Sequence, residues 1–81
     1  MTGTPAQFKE ARKLLGWSQG RLVEGMGVSQ PMYAKFEARK VSLPSRETML
    51  LVDRLESAGV EFIAENGGGA GVRLKKPTDN R

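Results

Sequence analysis

The strongest constraint on this chain is one local device used twice in close succession. An apolar residue, a serine and a helix-compatible run appear as Trp17-Ser18-Gln19 and again as Val28-Ser29-Gln30. A serine at that place accepts a hydrogen bond from an otherwise unpaired amide of the first helical turn. The apolar residue before it can clasp the fourth helical residue, which is Leu22 after Trp17 and Tyr33 after Val28. Gly25 and Gly27 stand between the two devices. Both weaken a helix, and Gly27 suits the positive φ of a tight turn. The first helix of the pair is therefore short, with Leu22, Val23 and Met26 as its apolar stripe. The second carries Pro31 in its first turn, where a missing N–H costs little. Tyr33 and Phe36 turn inward with Val28, while Gln30, Pro31, Met32, Ala34 and Lys35 turn outward. Two short capped helices joined by a glycine-containing turn form a helix-turn-helix unit.

The flanking segments supply what this pair needs to bury itself. Thr4-Pro5-Ala6-Gln7 places Thr at a helix cap, Pro at the first helical position and Gln three residues after the cap. A helix over residues 5–15 follows, with Phe8, Ala11 and Leu15 on one face, Leu14 beside them and Gly16 to close it. Lys9, Arg12 and Lys13 make its other side basic. After a loop over 38–44, Ser45 reads as the cap of a helix over 46–58, with Met49, Val52 and Leu55 inward and Leu51 beside them. Gly59 ends it, and Val60 folds back on the last turn. Beyond that the period changes. Residues 60–64 are β-prone, with Val60 and Phe62 on one face, and residues 72–75 alternate apolar and basic. Asn66-Gly67 between them favours a hairpin turn. The expected architecture is a single mainly α domain over 1–81. It comprises a four-helix bundle over 4–58, a β-hairpin over 60–76 and a flexible tail over 77–81.

Composition narrows the function. At 81 residues there is room for one domain only. Cysteine and histidine are both absent, which removes thiolate zinc sites, disulfides, cysteine nucleophiles and the commonest general base. The nine acidic residues are scattered rather than clustered as a calcium site needs. Glu61 and Glu65 sit on the hairpin without groups to tune them, and no nucleophile–base set is present. Gly67 to Gly71 lacks the Gly-Lys-Ser/Thr and the following helix of a phosphate loop. The methionines and aromatics read as packing residues, so no cofactor or small-molecule ligand is expected. No apolar run is long enough to span a membrane, and the start does not read as a signal peptide. The formal charge is +4, from 13 basic and nine acidic residues. Most of the excess falls in residues 1–58, and it fits a polyanionic partner. These observations together describe a cytoplasmic protein that works by binding and is not an enzyme.

Residues 8–58 resemble the lambda-repressor-like, Cro/XRE-type helix-turn-helix family of transcriptional regulators. The resemblance is carried by Leu14-Leu15-Gly16-Trp17-Ser18-Gln19, by Leu22-Val23, by Gly27-Val28-Ser29 and by Phe36-Glu37. Ala58 to Phe62 and Asn66 to Leu74 are similar to the end of many small bacterial regulators of this type. Three positions depart from the family pattern. Val23 stands where Ala is usual, and Tyr33 where Ile is usual. Ala38-Arg39 stands where a basic residue and Gly often follow the Glu. Tyr33 thus needs a partner or water for its hydroxyl, and Arg39 needs a left-handed backbone without glycine.

The resemblance implies a DNA-binding surface made of Gln19, Ser29, Gln30, Pro31, Met32, Lys35, Arg39, Lys40 and Arg46. Gln30 takes the leading base-reading place, where a glutamine can bond adenine N6 and N7 together. Lys35 reaches a guanine edge or a phosphate. Pro31 and Met32 offer apolar contact to a thymine methyl. Gln19 and the adjacent helix-end amides hold a phosphate, and Arg39, Lys40 and Arg46 flank the backbone track. Arg12 and Glu37 stand where the family ties its first and third helices together. A homodimer on a palindromic operator is implied, with autoregulation plausible where no sensor is visible. A lone hairpin is marginal in water, so its apolar residues Val60, Phe62, Ile63, Val72 and Leu74 are expected at the interface, with the helix over 46–58 nearby. The alternative is that the hairpin packs only on its own helices and that helix alone forms the interface. The rival reading is a protein-interaction module of the same fold, an antitoxin or partner-binding regulator. Acidic residues on the exposed third helix would favour that rival.

Overall fold

The computed structural model describes residues 4–63 and 71–75. Four helices, α1 (Pro5–Leu15), α2 (Gln19–Val23), α3 (Gln30–Glu37) and α4 (Ser45–Ser57), precede strands β1 (Val60–Ile63) and β2 (Gly71–Leu74). The hairpin turn with Asn66-Gly67 and the tail over 77–81 lie outside the described residues.

Local rules set the helix ends. In α1 the Thr4 hydroxyl accepts from the Gln7 amide at 3.2 Å, and Gln7 Oε1 accepts from the Thr4 amide at 3.1 Å. This closes the capping box. Gly16 ends the helix at φ 72°, and the Trp17 amide reaches back to the Arg12 carbonyl at 2.9 Å. Helix α4 departs from expectation at its start. It begins at Ser45 after Pro44, and no side chain caps it. Met49 is also outside, 66% exposed, while Leu51 and Leu55 are fully buried and Val52 packs beside them. At about 100° per residue, Met49 stands roughly 160° from Leu51, so a helix that buries Leu51 and Leu55 turns Met49 to the surface.

The core gathers Phe8, Ala11, Leu22, Tyr33, Leu51, Leu55 and Val60, all fully buried, with Val23 and Phe36 nearly so. Phe8 lies at its centre, 5.6 Å from the Phe36 ring and 5.8 Å from the Phe62 ring. The larger Val23 is taken into this core, at 5% exposure.

Strands β1 and β2 are antiparallel, with Val60 opposite Leu74, Phe62 opposite Val72 and Ile63 opposite Gly71. Opposed residues share a face, so Val60, Phe62, Val72 and Leu74 form one side. That side serves the chain's own core. Val60 is fully buried, and Phe62 and Val72 pack against the same cluster. The expectation that Val60 presents an interface is therefore corrected, because a single hairpin covers its apolar face with the nearest helices, here α1 and α4. Leu74 remains 48% exposed at the margin.

Gln7 fastens this arrangement. Its side chain is nearly buried, and its Nε2 donates to the carbonyls of Ile63 at 3.1 Å and Gly71 at 2.9 Å. One amide thus clamps both strands at the last register pair. Gln7→Ala should keep the Thr4 cap but lose the return bond of the capping box and leave both carbonyls short of a donor, lowering stability by about 2 kcal/mol. Urea unfolding measures the loss, and hydrogen exchange of β1 and β2 amides should accelerate more than that of α4.

Candidate nucleic-acid interface

The recognition surface is assembled from helix ends. Ser18 Oγ accepts from the Arg21 amide at 3.0 Å to start α2, and Ser29 Oγ accepts from the Met32 amide at 3.2 Å to start α3. Between them the chain turns through two left-handed glycines, Gly25 at φ 74° and Gly27 at φ 78°. Side chains larger than glycine resist that conformation, so the short turn depends on these residues.

At its far end α3 closes through Arg39, the only non-glycine residue with positive φ among the described residues, at 65°. The Arg39 amide donates to the Phe36 carbonyl at 2.9 Å and the Lys40 amide to the Lys35 carbonyl at 2.8 Å. This is a Schellman closure with arginine in glycine's usual place. The backbone thus adopts the expected left-handed turn and leaves Arg39 and Lys40 exposed directly after the helix.

Burial sorts the faces of α3. Tyr33 and Phe36 enter the core, while Gln30, Pro31, Met32 and Lys35 are exposed. Met32, 42% exposed, borders a shallow depression shared with Leu43, Pro44 and Glu47. Ser29 is exposed but spends its hydroxyl on the cap. Arg46 is exposed in the first turn of α4. Gln19, assigned to a phosphate, is only half-exposed and has protein partners on both sides.

Those partners lead to a charge pair. Arg12 Nε donates to Glu37 Oε2 at 2.9 Å and Arg12 Nη2 to Glu37 Oε1 at 2.7 Å, a two-pronged contact between α1 and α3. The expected tie is therefore present. Arg12 Nη1 also donates to the Trp17 carbonyl at 2.9 Å. Gln19 Nε2 donates to Glu37 Oε1 at 3.1 Å, and Gln30 Nε2 donates to Gln19 Oε1 at 3.1 Å. The side chains of Arg12 and Glu37 keep only 14% and 6% of their exposure. Burial pushes the Glu37 carboxyl upward, but hydrogen bonds led by Arg12 outweigh it and hold the pKa below the usual carboxylate value. Glu37 raises the Arg12 pKa in turn, chiefly through the same hydrogen bonding.

Tyr33 lies beside this pair. Its buried hydroxyl makes no hydrogen bond of regular geometry among the described residues. Burial first, and the Glu37 carboxylate second, push its pKa well above that of a free phenol. A second cluster, not anticipated from sequence, surrounds Trp17. The Arg21 guanidinium lies 5.0 Å from the ring centroid and that of Arg54 5.8 Å. Arg54 also donates to the Arg21 carbonyl at 3.3 Å, which ties α4 to the end of α2. Arg21 is four residues from Trp17, but no spacing rule signals the contacts of Arg54, which span much of the chain.

A trihelical unit with a capped, outward-facing third helix and cations directly after it has the form of a helix-turn-helix DNA-binding domain. A family model described as helix-turn-helix matches residues 8–55, more than half of the chain, and runs from α1 into α4. The chain belongs to this helix-turn-helix family, of the Cro/C1 type, a family of DNA-binding transcription regulators. No curated protein matches the chain. No helix among the described residues is long and apolar enough to cross a membrane.

The charge pair has a pH signature. The folded pKa of Glu37 is depressed, so its contribution is present above the unfolded value of about 4.3 and lost as pH falls through the folded value. Stability should decline more steeply below about pH 4 than in Glu37→Gln, whose amide does not titrate. Thermal unfolding at stepped pH measures this, and parallel curves for the two proteins would contradict it.

Proposed function

We propose that the protein is a sequence-specific transcription regulator that reads a palindromic DNA operator as a homodimer in the cytoplasm. One observation carries the reading: the outer face of α3 presents Gln30, Pro31, Met32 and Lys35 with no carboxylate among them. The single acid of α3, Glu37, is turned to Arg12. An interaction module for a basic partner would favour acids on that face. Gln30 stands in the first turn of α3, where a helix entering the major groove meets base edges. Pro31 and Met32 beside it offer apolar contact, and Lys35 one turn later adds a cation. Arg39, Lys40 and Arg46 lie at the ends of neighbouring elements, where they support phosphate contact. Control of its own synthesis by its own concentration belongs to the same proposal.

Binding to a random duplex pool, followed by measurement on the enriched duplex, tests the core of this reading. Gln30→Ala should weaken binding to that duplex by roughly 1–3 kcal/mol and leave random DNA nearly unchanged. Equal losses on both would remove Gln30 from base reading. Lys40→Ala should weaken binding on every sequence and lower the salt slope by about one unit. Arg39→Gly should do the same while raising thermal stability, because glycine relaxes the left-handed turn.

The dimer needs surface that the core has not consumed. Leu74, Met49, Leu50 and Leu14 are exposed apolar residues outside α3. Ile63 is half-exposed and stands on the face opposite Phe62. The outer edges of β1 and β2 are open to strand pairing among the described residues. Leu74 and Ile63, on opposite faces of the hairpin, are therefore the hairpin residues proposed to meet a second copy around its open edge, while Phe62 and Val72 stay packed on the core. Leu74→Glu and Ile63→Glu should shift sedimentation toward monomer and weaken palindrome binding more than half-site binding. If Met49→Glu alone does this, the pairing surface is α4.

A further inference from the structure

The contacts linking Glu37, Gln19 and Gln30 have a direction. An ionised carboxylate accepts hydrogen bonds and donates none. Gln19 must therefore turn its NH2 toward Glu37, as its 3.1 Å donation to Oε1 shows. Its carbonyl oxygen then faces the other way, and that oxygen only accepts. Gln30 must turn its own NH2 toward Gln19, again at 3.1 Å. The order of the two amides follows from the charge at the end of the chain.

An exposed glutamine without such neighbours has two nearly equivalent amide orientations. Here one is selected before any ligand arrives. Gln30 keeps one N–H and both lone pairs of its oxygen outside the Gln19 contact. A donor and an acceptor side by side complement N7 and N6 of adenine in the major groove. The opposite orientation would set the Gln30 oxygen against the Gln19 oxygen, two acceptors with no proton between them, or break the contact with Gln19.

We propose that Glu37 is a positioning residue for base selection: through Gln19, its carboxylate sets which end of the Gln30 amide is available to a base. The inference rests on α3 being the reading helix. Arg12 serves it by holding both carboxylate oxygens, which keeps Glu37 a pure acceptor. Gln19 is the intermediate, so its side chain has work to do before it meets any phosphate.

The test selects from one random duplex pool, at one salt concentration, with the full chain and with Gln30→Ala, Glu37→Gln and Gln19→Met. The position at which Gln30→Ala loses an adenine preference is the Gln30 position. Glu37→Gln can present either end of its new amide, and Gln19→Met cuts the relay while sparing the Arg12–Glu37 contact. Both should lower the adenine preference at that position by about tenfold and leave the other positions unchanged. In the free protein, both should also shift the side-chain amide resonances of Gln30. Folded variants with the parental preference at that position would overturn the proposal. A uniform loss at every position would also overturn it, since that reports a helix displaced rather than an amide reordered. If Glu37→Gln fails to fold, Gln19→Met decides the question. If Gln30→Ala selects the parental consensus, base reading by Gln30 itself fails, and the relay falls with it for a different and recognisable reason.

Discussion

Arg12 and Glu37 hold the molecule's one nearly buried ion pair among the described residues, and the placement of α3 depends on it. Withdrawing two charges from water is costly, and their attraction repays it only when geometry is good and the remaining polar atoms are satisfied. Both conditions hold here. Two nitrogens of Arg12 meet the two oxygens of Glu37, the third nitrogen meets the Trp17 carbonyl, and Gln19 adds another donor to Oε1. The pair thereby joins α1, the corner before α2, the start of α2 and the end of α3. Apolar packing would hold these elements together with less regard to angle. A two-pronged guanidinium–carboxylate contact specifies direction as well as distance.

The rest of the fold divides the remaining tasks. Phe8 unites the helices with the hairpin through its contacts with Phe36 and Phe62. Gln7, next to it on α1, holds the carbonyls of Ile63 and Gly71. The first turn of α1 therefore organises the hairpin, while Arg12 near its last turn organises α3. The exposed Glu61–Arg73 contact, at 2.8 Å across the strands, adds little because water screens it. Its exposed position leaves the hairpin's apolar face, rather than its charges, as the source of attachment.

Much of the fold was legible because it is written in short-range rules. Ser18, Ser29 and Thr4 cap helices through bonds to amides three residues ahead. Such bonds are decided within one turn, so sequence spacing reveals them. The left-handed turn at Arg39 was legible through the family resemblance instead, because glycine often stands at that place in the family. Helix α4 shows the limit of that logic. Met49, Val52 and Leu55 make as good an apolar stripe on paper as Leu51, Val52 and Leu55 do. The choice between them belongs to whatever the helix packs against, and Leu51 won because the core lies on that side.

The sequence by itself determined the capped starts of α1, α2 and α3, the glycine turn, the outward face of α3 and the tie between Arg12 and Glu37, the last through its family resemblance. Only the tertiary structure decided the second role of Gln7, the Arg54 guanidinium against Trp17 and the full burial of Val60 in the core. It also decided the chain of donors from Gln30 through Gln19 to Glu37. The physical reason is range. A cap or a turn is settled by neighbours a few residues away, whereas these contacts join groups that meet only after the helices have packed. A hydrogen bond between distant side chains leaves no period in the sequence, and its direction depends on the charge at its far end.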